Sequence, residues 1–202
     1  MKTLVVATGN QGKLSEIKSI FKYMPLKIIS MKEAGVHKDI EENGTTFEEN
    51  ALIKAKAVFD ATGHAVLADD SGLEVDFLNG APGIQTARYA GEGASDMDRI
   101  NKLLGELKNV PFEKRTARFV CAVAIILEDG SYFTTRGECN GYISFEPAGN
   151  KGFGYDPVFY VPEYDKTMAQ LDEEVKNKIS HRAKALDAAA ARLAPLIKQS
   201  RY

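Results

Sequence analysis

The stretch 116–138, TARFVCAVAIILEDGSYFTTRGE, decides the fold class. Thr116–Leu127 is apolar enough for a buried strand, and Tyr132–Glu138 reads as its hairpin partner. Asp129-Gly130 between them is a favoured two-residue turn pair. A hairpin of this length argues against an all-parallel sheet. Upstream, Thr3–Ala7 predicts a short buried strand that ends in Thr8-Gly9-Asn10. A helix follows, with Leu14, Ile17, Ile20, Phe21 and Met24 on one face and a stop at Pro25. Leu26–Ile29 predicts a second strand. Thr45-Thr46-Phe47-Glu48 has capping-box form and opens a helix that continues through Ala51, Ala55, Val58 and Phe59 to Gly63. Ala65–Ala68 reads as a buried strand running into Asp69-Asp70-Ser71-Gly72, which has turn composition. After a loop over Asn79–Gly93, Ser95 caps a helix bearing Ile100, Leu103, Leu104 and Leu107. Downstream, Asn140-Gly141 predicts a bend before a strand over Tyr142–Phe145, and Gly149–Asp156 predicts a loop. One long C-terminal helix is expected, with Val175, Ile179, Leu186, Leu193 and Ile197 on its apolar face. The sum is a mixed α/β architecture.

Composition narrows the function. The 202 residues include 26 Lys+Arg against 28 Asp+Glu, a net charge of −2, which gives no global drive toward nucleic acids or anionic membranes. A phosphate-bearing partner must be met by a local cluster of cations. The apolar run Phe119–Leu127 is nine residues, too short for a transmembrane helix, and the N-terminus does not read as a signal peptide. Cys121 and Cys139 suit neither a zinc site nor a disulfide framework, so a cytoplasmic location is expected. From Asp39 to Glu49 there are five acids and no Lys or Arg.

Several stretches can carry chemistry. Thr8-Gly9-Asn10-Gln11-Gly12-Lys13 stands between a strand and a helix, where backbone N–H groups favour anions and Lys13 lies in the first turn. It is not a P-loop, because Ala7 and Leu14 stand where that pattern needs Gly and Ser or Thr. A routine turn with a solvated lysine is the equal alternative. Asp69 and Asp70 are adjacent carboxylates that raise one another's pKa unless a cation neutralises them, and Mg²⁺ suits such oxygen ligands. Ordinary turn chemistry explains the same residues. Glu41 and Glu42 reach such a metal only if their loop folds over the strand end. Asn50 and Lys54 share a helix face, most simply as an exposed pair. Near the C-terminus, Phe153 or Tyr155 can stack on a base beside Gly154, and Ser180-His181-Arg182 with Lys176 supplies donors for carbonyl or phosphate oxygens. A serine hydrolase is disfavoured, since no G-x-S-x-G elbow is present.

Taken in order, these motifs resemble one family closely. They are Thr8-Gly9-Asn10-x-x-Lys13, Phe47-Glu48-Glu49-Asn50-Ala51, Ala68-Asp69-Asp70-Ser71-Gly72-Leu73, Gly80-Ala81-Pro82-Gly83, Ala87-Arg88-Tyr89, Phe153-Gly154-Tyr155-Asp156-Pro157 and Ser180-His181-Arg182. The chain is similar to the non-canonical purine nucleoside triphosphate pyrophosphatases that act on ITP, dITP and XTP, from residue 3 to about 194. The resemblance implies a Mg²⁺-dependent hydrolase that converts a nucleoside triphosphate to the monophosphate and pyrophosphate, keeping deaminated purines out of DNA and RNA. It also implies a homodimer, each subunit a single two-lobed α/β domain over 1–202 with the site in a cleft between the lobes.

Residue by residue, the resemblance gives the triphosphate to Thr8, Gly9, Asn10, Gln11, Gly12 and Lys13. Asp70 becomes the catalytic acid/base residue and a metal ligand, with Ser71 on the substrate. Asp69 and one of Glu41 or Glu42 complete the metal site. Phe153, Gly154, Tyr155, Asp156, Lys176, His181 and Arg182 contact the nucleotide. Lys13 and Lys54 then stabilise charge on the leaving pyrophosphate. The expected partner is a small nucleotide, with neither nucleic acid nor membrane. Two alternatives are a related pyrophosphatase for other modified nucleotides and a non-catalytic nucleotide-binding module.

Overall fold

In the computed structural model, which describes residues 2–199, the first strand, β1 (Lys2–Val6), lies between two parallel neighbours. On one side it pairs with β2 (Leu26–Ser30), from Lys2 opposite Leu26 to Val6 opposite Ser30. On the other it pairs with β3 (Ala65–Val75), from Leu4 opposite Ala65 to Val6 opposite Leu67. The intervening helices are α1 (Gln11–Ile20) and α2 (Phe47–Thr62), the crossovers that parallel strands require. The remaining elements are α3 (Asp96–Glu106), β4 (Thr116–Ile126), β5 (Tyr132–Ile143), β6 (Phe159–Val161), β7 (Lys166–Thr167), α4 (Glu173–Ile179) and α5 (His181–Gln199). The strand order is β2-β1-β3-β4-β5-β6-β7, with β6 antiparallel to both β5 and β7. The sheet is mixed, as the hairpin predicts.

The chain divides into two units. The first takes the segment ending at Asp70, Cys121–Gly137 and the segment beginning at Arg182; the second takes Ser71–Val120 and Glu138–His181. In the first unit, side chains alternate across the sheet with the strand period of two. Leu4, Val6, Leu67, Cys121, Val123 and Ile125 face α1 and α5, where Leu14, Ile17, Leu186 and Leu193 cover them. Val5, Val66, Ala68, Ala124 and Ile126 face the other way, onto Ala51, Ala55 and Val58 of α2. This explains the continuous apolar runs of β1 and β4, whose residues are buried on both faces. The second unit has one core, in which Ile100, Leu103 and Leu107 meet Leu73, Val75, Phe119, Ile143 and Phe159.

Several local expectations are corrected. Asp69-Asp70-Ser71-Gly72 is not a turn: β3 runs through it to Val75. The bend at Asn140-Gly141 is likewise absent, because β5 continues to Ile143. Gly141 is required there by close approach, since a Cβ would lie 2.4 Å from the Tyr160 carbonyl oxygen of β6. The hairpin connection is longer than two residues: Leu127 N–H donates to Ser131 O at 2.8 Å around Gly130, whose φ is +83°. The cap of α2 shifts by one residue, to Thr46, whose hydroxyl accepts from Glu49 N–H at 3.1 Å. The single C-terminal helix is two helices, separated at Ser180, which is extended at φ −63°, ψ 147°. Both cysteines are free and buried. Among the described residues no helix is long and apolar enough to cross a membrane.

Candidate active site

Polar chemistry in the first unit is organised by β3. Strand alternation sends the adjacent carboxylates to opposite faces, Asp69 with Leu67 toward α1 and α5, and Asp70 with Val66 and Ala68 toward α2. Each then meets the cations of its own side. Lys13 of α1 donates from Nζ to Asp69 Oδ2 at 2.7 Å. Arg182, in the first turn of α5, approaches the same oxygen through Nε at 3.5 Å and Glu16 Oε2 through Nη1 at 3.4 Å. Burial pushes the Asp69 carboxyl up, but Lys13 and Arg182 outweigh it and leave the group well below the usual carboxylate range. Glu16 shows the reverse balance: burial raises it more than Arg182 lowers it.

On the other face, Lys54 of α2 sits between two carboxylates, 3.3 Å from Asp70 Oδ1 and 3.1 Å from Glu42 Oε2. Burial disfavours the ammonium, yet Asp70, Glu42 and Asp69 together raise its pKa. Asp70 goes the other way. Burial raises its pKa, Lys54 opposes, and the charge of Glu42 adds to the rise. Asn50 also hydrogen-bonds the Asp70 carboxylate, while its Oδ1 accepts from Gly44 N–H at 2.8 Å. Asn50 is 2% exposed, so Asn50 and Lys54 are not the exposed pair that helix spacing suggests. Of the two loop acids, Glu42 reaches Lys54, whereas Glu41 is exposed.

The Thr8–Asn10 segment leads into α1, whose first turn takes in Gln11, Gly12 and Lys13, and its side chains are engaged locally. Asn10 N–H donates to Thr8 Oγ1 at 3.1 Å, and Asn10 Oδ1 caps the helix by accepting from Lys13 N–H at 3.2 Å. Gly9, Gln11 and Gly12 are exposed, as an approaching ligand would need. First-turn amides of a helix have no intrahelical partner and favour anions.

The second unit holds the other predicted residues. Lys176 Nζ donates to Asp156 Oδ2 at 2.9 Å, and Gly152, at φ +87°, lies against this pair. A Cβ on Gly152 would stand 2.0 Å from Asp156 Oδ2. We therefore expect Gly152→Ala to lower stability by about 1–3 kcal/mol, read from urea unfolding, since both strain and overlap oppose it; an unchanged midpoint would refute the packing described. Phe153 is 63% exposed, whereas the Tyr155 ring is buried in the core and its hydroxyl donates to Thr86 O at 3.2 Å. Of the two candidate stacking rings, Phe153 is the open one. Gly154 N–H donates to Asp96 Oδ2 at 2.7 Å, and Asp96 is ion-paired with Arg99. His181 stacks on Phe119 at 5.0 Å between ring centroids. Ser71 is half-buried on β3, directly after Asp70.

Three participants were not singled out as site residues from sequence: Asn50, Glu16 and Asp96. The first had a signal in its helix spacing with Lys54. Glu16 meets Arg182 across 166 residues, and Asp96 meets Gly154 across 58, distances at which local patterns carry no information.

Charge counting bears on a metal. Glu16, Glu42, Asp69 and Asp70 are four carboxylates linked to three cations, Lys13, Lys54 and Arg182. The formal sum is −1, and the excess lies on the Asp70–Glu42 side, where two carboxylates share one ammonium. That donor set fits a hard divalent cation such as Mg²⁺, which takes one or two carboxylates and completes its shell with water and phosphate oxygens. Among the described residues no group of three or more His, Cys, Asp or Glu side chains forms a complete protein cage for a metal.

These features define a class: an α/β protein whose parallel strands carry a buried, densely charged centre beside a glycine-bearing loop that opens a helix. Residues 4–192 match the model of the Ham1 family, and the chain belongs to that family. It is 50% identical over 186 residues to a dITP/XTP pyrophosphatase of Halalkalibacterium halodurans, covering 92% of this chain and 96% of the relative. A solved HAM1 protein from Coxiella burnetii superposes with a TM-score of 0.90 at 43% identity, covering 96% of this chain and 98% of that one. The Staphylococcus aureus Ham1 protein gives a TM-score of 0.89 at 47% identity, covering 95% and 98%.

Proposed function

We propose that the protein hydrolyses the deaminated purine nucleoside triphosphates ITP, dITP and XTP to the monophosphate and pyrophosphate, a house-cleaning activity of the nucleotide pool. The observation that carries this reading is the Asp70–Lys54–Glu42 cluster, present in a chain half identical to a dITP/XTP pyrophosphatase. Asp70 is the general base. Its carboxylate, bonded by Lys54 and Asn50, is oriented to accept a proton from water. Asn50 and Lys54 hold the Asp70 carboxylate in place, and Lys54 supplies positive charge where negative charge develops on the phosphates. Asp70 and Glu42 would hold Mg²⁺, which when bound offsets phosphate charge and acidifies water. Asp69, already matched by two cations, fixes Lys13 beside the Thr8–Asn10 segment and the start of α1, which bind the triphosphate. Phe153 stacks on the base, with Ser71, Lys176, His181 and Arg182 as further nucleotide contacts. The same likeness supports a homodimer and a cytoplasmic location.

Base choice follows from donors and acceptors. Hypoxanthine and xanthine present a 6-oxo acceptor where adenine presents an amino donor, and a site built of donors rejects such a mismatch by roughly 10⁴-fold. Initial rates of pyrophosphate release from ITP, dITP, XTP, GTP and ATP, with and without Mg²⁺, test the proposal. Fast, Mg²⁺-dependent release from the first three is expected; equal rates with ATP, or rates indifferent to chelation, would overturn it.

Asp96 positions the base-binding segment through Gly154 N–H. Removing that charge-assisted bond in Asp96→Ala should raise KM for ITP about tenfold while kcat changes by less than about twofold. Steady-state kinetics check this, and an unchanged KM would remove Asp96 from the account.

A further inference from the structure

β1 accompanies β3 only as far as Leu67, whose carbonyl accepts from Ala7 N–H at 2.8 Å. Residues two apart in a strand turn their backbone groups to the same edge, so Ser71, Leu73 and Val75 continue that edge beyond the reach of β1. The segment from Gly80 through a 3₁₀ helix over Gly83–Arg88 takes its place. Val75 N–H donates to Ala81 O at 3.1 Å, and Val75 O accepts from Gly80 N–H at 3.0 Å. Leu73 N–H meets a side chain instead. It donates to Thr86 Oγ1 at 2.9 Å, and that hydroxyl donates onward to Gly83 O at 2.6 Å.

Thr86 has a second contact, with the base-binding segment. Its carbonyl accepts from the Tyr155 hydroxyl at 3.2 Å. The Tyr155 ring is 2% exposed and packed in the same core as Leu73 and Phe159, which fixes the direction of the hydroxyl. Phe153 and Gly154 precede it in the chain, and Asp156, which holds Lys176, follows. Arg99 closes the network from behind. It is ion-paired with Asp96, the acceptor of Gly154 N–H, and donates to Ala87 O and Ala94 O at 3.0 and 2.7 Å. One residue thus holds β3 two positions beyond Ser71 through its hydroxyl, and the segment that carries Phe153 through its carbonyl.

We infer that Thr86 is a positioning residue for base recognition, setting the placement of the Phe153–Asp156 segment relative to Ser71 on β3. The identity of the base rests on the proposed function; the role of Thr86 rests on its hydrogen bonds. Stacking on Phe153 tolerates a small displacement, because every base presents a π-face. Hydrogen bonds to a 6-oxo oxygen tolerate it less, since they weaken steeply as they bend. Loss of the Thr86 hydroxyl therefore costs a 6-oxo purine more than a 6-amino purine.

The test is calorimetric titration of IMP, and separately of AMP, into the full chain with Mg²⁺ present. Thr86→Val keeps the shape and removes the hydroxyl. It should weaken IMP binding about tenfold, the worth of one lost hydrogen bond, and AMP binding by less than about twofold. Thr86→Ser should restore the parent's IMP affinity. Tyr155→Phe removes the other bond without touching β3 and should match Thr86→Val; should Thr86→Val fail to fold, Tyr155→Phe alone decides. The double variant should lose about tenfold in total, because both bonds serve one connection. Equal losses for IMP and AMP, as partial unfolding would give, would overturn the inference, as would unchanged IMP affinity in either single variant or additive losses in the double variant. Turnover of ITP on the same preparations separates the two claims. A parent that hydrolyses ITP, with IMP affinity indifferent to Thr86→Val, loses the role of Thr86 and keeps the function. A parent that leaves ITP intact but loses IMP selectively in Thr86→Val loses the function and keeps the role. A parent that neither hydrolyses ITP nor prefers IMP to AMP loses both.

Discussion

Asp70→Asn should lower turnover of ITP by about 10³-fold, the usual worth of a positioned general base, without weakening the fold. The stability half of this expectation is the less obvious one. Burial and the neighbouring Glu42 raise the folded pKa of Asp70 despite Lys54. An acid whose folded pKa is raised favours the folded state while protonated and loses that advantage as pH rises through the folded value. At pH 7 the ionised Asp70 therefore costs stability. Asparagine removes the charge and keeps the shape, so the urea midpoint of the metal-free variant should equal or exceed the parent's at pH 7, and the difference should fade in acid. Activity near the parent's would remove Asp70 from the base role. A lower midpoint at neutral pH would show that the carboxylate stabilises the fold, contrary to the charge balance described.

Asp69→Asn should do the opposite, although the two residues are adjacent. Asp69 is 2% exposed and bonded by Lys13 and Arg182, so its loss leaves Arg182, itself 7% exposed, with only Glu16 from this group. Breaking a buried pair by removing one partner costs about 3 kcal/mol or more. The pH dependence follows from the lowered folded pKa. Stability from such a group is present above its unfolded pKa of about 3.9 and is lost as pH falls through the lower folded value. Urea unfolding of the metal-free proteins should therefore show a large deficit for the variant at pH 7 and a smaller one at pH 3. A deficit of the same size at both would mean that Asp69 acts by shape rather than charge. Catalysis should fall as well, since Lys13 loses its anchor.

The contrast between neighbours also shows what local sequence conveys. The βα units and the hairpin are legible because apolar periodicity reports burial directly: Leu4 and Val6 face one helix layer and Val5 the other. Asp69-Asp70-Ser71-Gly72 misleads because turn composition is a local preference, and here pairing within the sheet overrides it. Once the segment is a strand, the two carboxylates point to opposite faces and bond different cations, although Lys54 acts on both charges, and the idea of a directly repelling pair gives way to two carboxylates met by cations from opposite sides. The break at Ser180 was available in principle, since serine is a strong helix N-cap residue, but the apolar face of α4 and α5 reads as continuous across it. Short β6 and β7 have too few residues for a pattern. The motif residues themselves were legible through family resemblance. Their partners Glu16 and Asp96 were not, because their contacts depend on the tertiary fold.

Release of a monophosphate and pyrophosphate requires that the nucleoside triphosphate be split between its first and second phosphates. The most direct measurement is phosphorus NMR of the products of ITP hydrolysis. IMP and pyrophosphate in equal amounts are expected; IDP and orthophosphate would refute cleavage at that bond.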